Sequence, residues 1–302
     1  MAHKVFIDGE AGTTGLQIRD RLLGRADITL IQIDPARRKD AEARREAFAE
    51  ADVAILCLPD GPAREAVALA QGLPTRFIDA STAHRVDPAW TFGFAELAPG
   101  AREAIAKAQY VSNPGCYSTG AIAILAPLVA AGLVAPDEAL SINAVSGYTG
   151  GGKELIGEYE RGEAPPAFVY ALAQGHKHLP EIVKYSGLTR RPIFAPSVGN
   201  FAQGMAVQVP LHLGQGRTLD GLRQAIAQHY AGERFIALVE PEARVVPTRL
   251  NDTNRLEISV HGSDDNGCAV VVAVLDNLGK GASGAAVQNL NLMLGTDEGA
   301  GL

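Results

Sequence analysis

Short apolar runs alternate with helix-like stretches through the first third of the chain: Lys4 to Asp8, Gly15 to Leu23, Ile28 to Asp34, Arg37 to Ala49, Val53 to Leu58 and Pro62 to Ala70. That rhythm predicts a βαβαβα series. Strands separated by helix-length segments cannot pair as hairpins, so they are expected to lie parallel in one doubly wound sheet. Phe77 to Asp79 and Tyr110 to Ser112 supply two further strands. A helix is expected just after Asn113-Pro114-Gly115-Cys116, running to about Ala131 and ending at Gly132. Beyond it, Ser141 to Val145, Met205 to Leu213, Leu256 to Val260 and Ala269 to Leu275 are longer and β-branched, which predicts a mixed or antiparallel sheet. The expected fold class is α/β, with a parallel-sheet domain over 1–113 and an α+β domain over 114–282. The last helical stretch, 283–302, returns to the first domain, and only the tail from Thr296 to Leu302 reads as frayed.

Composition sharpens this picture. A chain of 302 residues is near the size at which one hydrophobic core divides, in keeping with two domains. Its 27 Lys+Arg against 34 Asp+Glu give a net charge of −7 and no basic stripe, so nucleic acid is excluded as a primary partner. No apolar run approaches the length of a membrane span, and the N-terminus enters a strand without a long apolar leader, so neither export nor a membrane is expected. Three cysteines make no extracellular disulfide framework; Cys57 and Cys268, in apolar surroundings, read as reduced core positions in a cytoplasmic protein.

Two places carry chemistry. Gly9-Glu10-Ala11-Gly12-Thr13-Thr14-Gly15 lies between the first strand and the first helix, where free backbone N–H groups and the helix dipole would face a pyrophosphate. The G-x-x-G-x-x-G spacing departs from the usual dinucleotide fingerprint, and a tight turn that binds nothing is the alternative. The end of the second strand decides between a ribose hydroxyl and a 2′-phosphate. Asp34 there would repel phosphate, whereas Arg37 and Arg38 would clamp it, which favours NADP(H) over NAD. The bland reading of both arginines is the solvated first turn of a helix.

Cys116 is the second place. A helix begins at it, and the partial positive charge of a helix N-terminus favours thiolate. A thiolate there can attack an activated acyl carbon and hold it as a thioester, to which a nicotinamide delivers hydride. The base is sought in His176-Lys177-His178-Leu179-Pro180-Glu181, with the balance toward His176; the two imidazoles share a direction only if the segment is extended. A metal pair is the other reading of His-x-His, but no further ligands stand at usual spacing, so no metal is expected.

Taken together, these residues resemble the short form of the N-acetyl-gamma-glutamyl-phosphate reductase family, over nearly the whole chain. The resemblance rests on the Gly9 to Gly15 turn, Asp79-Ala80-Ser81-Thr82-Ala83-His84-Arg85, Asn113 to Tyr117, Ser146-Gly147-Tyr148-Thr149-Gly150-Gly151-Gly152-Lys153, His176 to Glu181, and Asp276-Asn277-Leu278-Gly279-Lys280-Gly281-Ala282-Ser283-Gly284. Ser118 and Gly279 depart from residues commoner at those positions.

The resemblance implies a Rossmann-like NADP(H)-binding domain and an α+β domain for catalysis and subunit contacts, as in the related aspartate-semialdehyde dehydrogenases. It makes Cys116 the nucleophile and His176 and His178 the acid/base and substrate-orienting pair. Gly9, Gly12, Thr13, Thr14, Gly15, Arg37, Arg38, Ser81, Asn277 and Gly284 are then cofactor residues, and Arg85, Ser146, Tyr148, Lys153 and Glu181 face the substrate. The implied reaction, in arginine biosynthesis, reduces N-acetyl-gamma-glutamyl phosphate to the semialdehyde, with a homodimer or homotetramer as the working form. Arg85 or Lys153 would neutralise the leaving phosphate, although each can also be an ordinary surface cation. Two rivals stand beside this: a reductase of a related acyl phosphate (carrier-protein-linked amino-adipyl phosphate or aspartyl phosphate), and an inactive dinucleotide-sensing module.

Overall fold

A computed structural model describes residues 2–214 and 216–302. The chain forms two compact units, one comprising residues up to Ala95, Pro99–Pro114 and Ala282–Leu302, the other Glu96–Ala98 and Gly115–Gly281.

The first unit is built on six strands, β1 (His3–Asp8), β2 (Ile28–Ile31), β3 (Val53–Leu56), β4 (Arg76–Asp79), β5 (Thr91–Phe92) and β6 (Tyr110–Ser112). They lie in the order β2-β1-β3-β4-β6-β5, every pair parallel. Helices α1 (Thr13–Leu22), α2 (Ala41–Glu50), α3 (Asp60–Leu69) and α4 (Ala101–Lys107) provide the crossovers.

The continuous apolar runs arise because both faces of this sheet are covered. Val5, Ile7, Val53, Ile55 and Ile78 pack with Ile18 and Leu22 of α1, Ile105 of α4, and Val287, Leu290 and Met293 of the C-terminal helix (Gly284–Leu294). The intervening Phe6, Ala54, Leu56 and Phe77 point the other way, onto Ala47 and Phe48 of α2 and Ala63 and Ala66 of α3. Strand period two thus divides one sheet between two cores.

Three expectations in this unit need correction. Arg37 and Arg38 are not in the first turn of a helix: α2 begins at Ala41, capped by Asp40, whose carboxylate accepts the Ala43 N–H at 2.8 Å. The second strand stops at Ile31, leaving Asp34 in a turn where its carboxylate accepts the Ala36 N–H. The tail is not frayed. Asn291 Nδ2 donates to the carbonyls of Glu298 and Ala300, Arg25 donates to Ala300, and Leu302 packs against the core.

The second unit begins with α5 (Cys116–Ala130), then β7 (Ser141–Gly147), α6 (Gly152–Glu160), β8 (Ala167–Val169), α7 (Leu179–Ser186), β9 (Ile193–Gly199), β10 (Met205–His212), α8 (Leu219–His229), β11 (Ile236–Leu238), β12 (Leu256–Ser263) and β13 (Cys268–Leu275). Seven strands form a mixed sheet in the order β11-β12-β13-β10-β7-β9-β8. Helix α5 is apolar on nearly every side because it is buried among β10, β13, α7 and α8. Gly120 permits the close approach, since a Cβ there would lie 2.7 Å from Val207 Cγ2. Cys268 departs from expectation: it opens β13 opposite Ser263 and His212, and is exposed rather than core.

Candidate active site

Gly9 follows β1 at the point where the strand order reverses between β2 and β3, the usual crevice of a doubly wound sheet. The turn is closed by Gly12 N–H donating to Gly9 O at 3.0 Å, and α1 starts at Thr13. No side chain caps this helix and its first turn holds no acid, so its N-terminal charge is left for an anion. A Cβ on Gly15 would lie 2.7 Å from Gly9 O, which shows how tightly the backbone is folded here. A dinucleotide pyrophosphate fits this donor set.

Around the turn, sequence reasoning missed one pair. Arg44 of α2 reaches Asp8, the last residue of β1, at 2.6 Å. Burial pushes the Asp8 carboxyl upward and the guanidinium opposes that shift. The only sequence signal was an acid directly before the glycine turn. Arg37 bonds Asp40 at 3.2 Å and is exposed, as is Arg38. Ser81 is turned inward, its N–H and hydroxyl both donating to Asp79, which also holds His84 Nδ1 at 2.7 Å. Arg85 is buried rather than a surface cation, donating to the carbonyls of Asn113 and Ala80. Gly284 is buried where the C-terminal helix begins.

Cys116 is the first residue of α5, half-buried, after a glycine N-cap. Helix α7 packs against α5 and its N-terminal side supplies the other groups. Glu181, 1% exposed, accepts the Gly115 N–H at 3.3 Å. Both imidazoles flank Tyr117, the residue after the cysteine, with ring centroids at 5.7 Å for His176 and 6.0 Å for His178. The two imidazoles come together, 4.7 Å apart, through a turn and not an extended segment, because His178 N–H donates to His176 Nδ1 at 3.1 Å. That bond puts the neutral ring's proton on His176 Nε2, which meets the Tyr170 hydroxyl at 3.3 Å.

Tyr170 was not foreseen, for it lies in a stretch without periodicity. Burial pushes its hydroxyl up to about 12, so it is a neutral phenol at physiological pH. The loop from it to His176 holds Ala171 and Gln174 at positive φ (52° and 60°). Gln174 pins that strained loop to β9, accepting the Phe194 N–H at 2.8 Å and donating to Phe194 O at 3.0 Å.

Ser146, buried, closes onto Gly147 O. Asn277 accepts the Gly204 N–H at 2.7 Å and donates to Thr149 Oγ1 at 3.1 Å, bracing two loops of the second unit. Tyr148 stacks on Tyr159, and Lys153 is exposed on α6. Among the described residues, no group of three or more His, Cys, Asp or Glu is placed to hold a metal.

The three cysteines differ in reactivity. Desolvation, reinforced by Asp79 and Asp8, pushes the Cys57 thiol up to about 12. At neutral pH Cys57 is then held as the thiol. Iodoacetamide treatment of the native protein is expected to label Cys116 and Cys268 and spare Cys57. Peptide mass spectrometry checks this, and early Cys57 labelling would contradict the upward shift of its thiol.

Comparison with known proteins adds to this geometry. Residues 116–277 match the family model described as semialdehyde dehydrogenase, dimerisation domain. The chain is 52% identical to a Brucella ovis protein named N-acetyl-gamma-glutamyl-phosphate reductase, over 98% of this chain and 100% of that one. A Brucella melitensis protein of the same name is 51% identical over the same shares. Aspartate semialdehyde dehydrogenase II of Vibrio cholerae, solved with ASA, superposes with a TM-score of 0.72 at 15% identity, covering 97% of this chain and 98% of that one. The Candida albicans aspartate semialdehyde dehydrogenase solved with NADP gives 0.71 at 13% identity, covering 97% and 99%. At such identities the likeness is one of fold. No helix among the described residues is long and apolar enough to cross a membrane.

Proposed function

The chain belongs to the N-acetyl-gamma-glutamyl-phosphate reductase family, and from that premise we propose that it reduces N-acetyl-gamma-glutamyl phosphate to N-acetyl-glutamate semialdehyde and phosphate, with NADPH, in cytoplasmic arginine biosynthesis. The observation that carries this reading is the convergence of His176, His178 and Glu181 on the N-terminus of α5, where Cys116 stands.

Cys116 Sγ attacks the γ-acyl carbon, the carbon–oxygen bond to phosphate breaks, and inorganic phosphate leaves. The N-terminal amides of α5 favour both the thiolate and the oxyanion that forms on the acyl oxygen. NADPH, when bound, supplies the hydride that takes the thioester carbon to the aldehyde level. The first unit's turn, with Gly9, Gly12, Thr13, Thr14 and Gly15, is where its pyrophosphate would be held, and Arg37 and Arg38 are exposed to meet a 2′-phosphate.

We assign the proton transfer to His178 and the orienting role to His176, whose ring nitrogens meet the His178 N–H and the Tyr170 hydroxyl. The histidine protonates the acyl oxygen and takes the proton back as the thiohemiacetal collapses, which frees the semialdehyde and restores the thiolate. Exposed Lys153 is available to the leaving phosphate. Buried Arg85, with guanidinium hydrogens spent on carbonyls, suits a supporting role for the Asn113–Cys116 segment. A homodimer or homotetramer accords with the name of the matched domain.

Two measurements test the reading. The reverse reaction, with N-acetyl-glutamate semialdehyde, phosphate and NADP, is expected to reduce the nicotinamide; no absorbance change from the wild-type protein would end the assignment. His178→Asn is expected to lower kcat by about 10²- to 10⁴-fold, with KM within a few-fold. A larger loss in His176→Asn than in His178→Asn would reverse the two roles.

A further inference from the structure

We propose that the buried Lys280–Glu96 ion pair is a positioning device for the nucleophile, a reading that rests on the reductase function above. Lys280 Nζ donates to both Glu96 carboxylate oxygens at 2.8 Å, and the two side chains are 2% and 0% exposed. Such burial is costly for both ions, and an apolar pair of similar volume would serve stability as well or better. The pair therefore points to something beyond stability.

What it fixes is the turn on either side of Lys280. Gly279 to Ser283 forms a single π-helical turn, a geometry that recurs at functional sites. Gly281 N–H donates to Asp276 O at 2.9 Å, and a Cβ on Gly281 would lie 2.8 Å from Cys116 Cβ and 3.2 Å from Cys116 Cα. The Gly281 backbone thus packs directly on the nucleophile. On the other side, a Cβ on Gly279 would lie 2.1 Å from Thr253 O, so the turn has little freedom to slide.

The far end of the pair is anchored as well. Lys280 Nζ is 5.6 Å from the centroid of Phe235. Tyr230, whose hydroxyl donates to Ala123 O on α5 at 2.9 Å, is kept a neutral phenol by burial and by Glu96. A bidentate charge pair has one favourable geometry, whereas apolar contacts tolerate sliding. Lys280 and Glu96 are positioning residues: they set where Gly281 presses, and through it the rotamer and surroundings of Cys116 Sγ.

The test is the double variant Glu96→Gln/Lys280→Met, which removes both charges and leaves no lone buried ion. Circular dichroism reports its folding, steady-state kinetics its turnover, and peptide mass spectrometry the rate of Cys116 alkylation by iodoacetamide over a pH series. The expected result is a folded protein with kcat at least about tenfold lower, KM within about threefold, and Cys116 alkylation altered at least about threefold with a shifted pH midpoint. Should the double variant not fold, Lys280→Arg, which keeps both charges but forces a larger head into the site, is read by the same criteria. A folded variant with kcat within about twofold of wild type and an unmoved alkylation profile overturns the proposal. Alkylation needs no substrate, so the two readings fail separately: an inactive wild type whose Cys116 profile still shifts in the variant sinks the reductase assignment alone.

Discussion

Cys116→Ala is expected to lower turnover by at least about 10⁴-fold while leaving NADPH affinity within about twofold, because under the proposed mechanism the substitution removes the atom that would form the thioester and leaves the residues of the glycine turn unchanged. Cys116→Ser should fare little better. Its hydroxyl is a far weaker nucleophile at neutral pH, and the α5 N-terminus can ionise a thiol but not an alcohol to a useful extent. Alanine at a helix N1 position is well tolerated, so the variant should fold, and a thermal melt close to wild type would show it. Single-turnover assays with the acyl phosphate check chemistry, and nicotinamide fluorescence checks binding. A Cys116→Ala protein that retained a tenth of wild-type turnover would remove the covalent route and force a direct hydride transfer to the acyl phosphate.

Most of the frame behind that prediction was readable from residue order. Val5 to Ile7 and Val53 to Leu56 are apolar at successive positions because the sheet is covered on both faces, and the C-terminal helix announced its core role through Val287, Leu290 and Met293. Strand β9 was hidden by Pro196, which breaks the β-propensity signal yet pairs with Ala144 in a parallel ladder. Helices α6, α7 and α8 are weak in the sequence pattern because they are short, eight to eleven residues, and α7 and α8 pack on α5, a partner that local pattern does not reveal.

For the site, chemistry-bearing types at the ends of elements were the useful signal: Cys116 at a helix start, and glycines after a strand. Groups that act through long-range packing left none. Tyr170, Gln174, Arg44 and the Lys280–Glu96 pair, 184 residues apart in sequence, become meaningful only once the chain is folded. Cys268 erred for a related reason, since an apolar neighbourhood in sequence does not tell a strand's buried middle from its open end.

The glycine turn yields the second large effect, and it separates folding from ligand approach. Gly9 has φ +89°, and a Cβ there would lie 2.4 Å from Cys57 O and 2.9 Å from Cys57 C, both backbone atoms at the end of β3. Left-handed backbone alone costs an alanine roughly 1–2 kcal/mol. Moving the β3 end away adds to that, so Gly9→Ala should lose about 3–5 kcal/mol of stability, at the exceptional end for one substitution. NADPH affinity should fall with it, by about a hundredfold or more, since each 1.4 kcal/mol withheld from the turn is tenfold.

Gly12 is the control. Its φ is −76°, and a Cβ would meet Gly9 O at 3.4 Å, a contact the turn can absorb. Gly12→Ala should therefore melt within about 1 kcal/mol of wild type yet bind NADPH at least about tenfold more weakly, because the added methyl would stand in the proposed pyrophosphate site. Calorimetric melts and NADPH titrations of the two variants, run side by side, give the answer. If Gly12→Ala bound NADPH as tightly as wild type while Gly9→Ala was merely unstable, the turn would be a structural corner, and the dinucleotide would have to be held elsewhere.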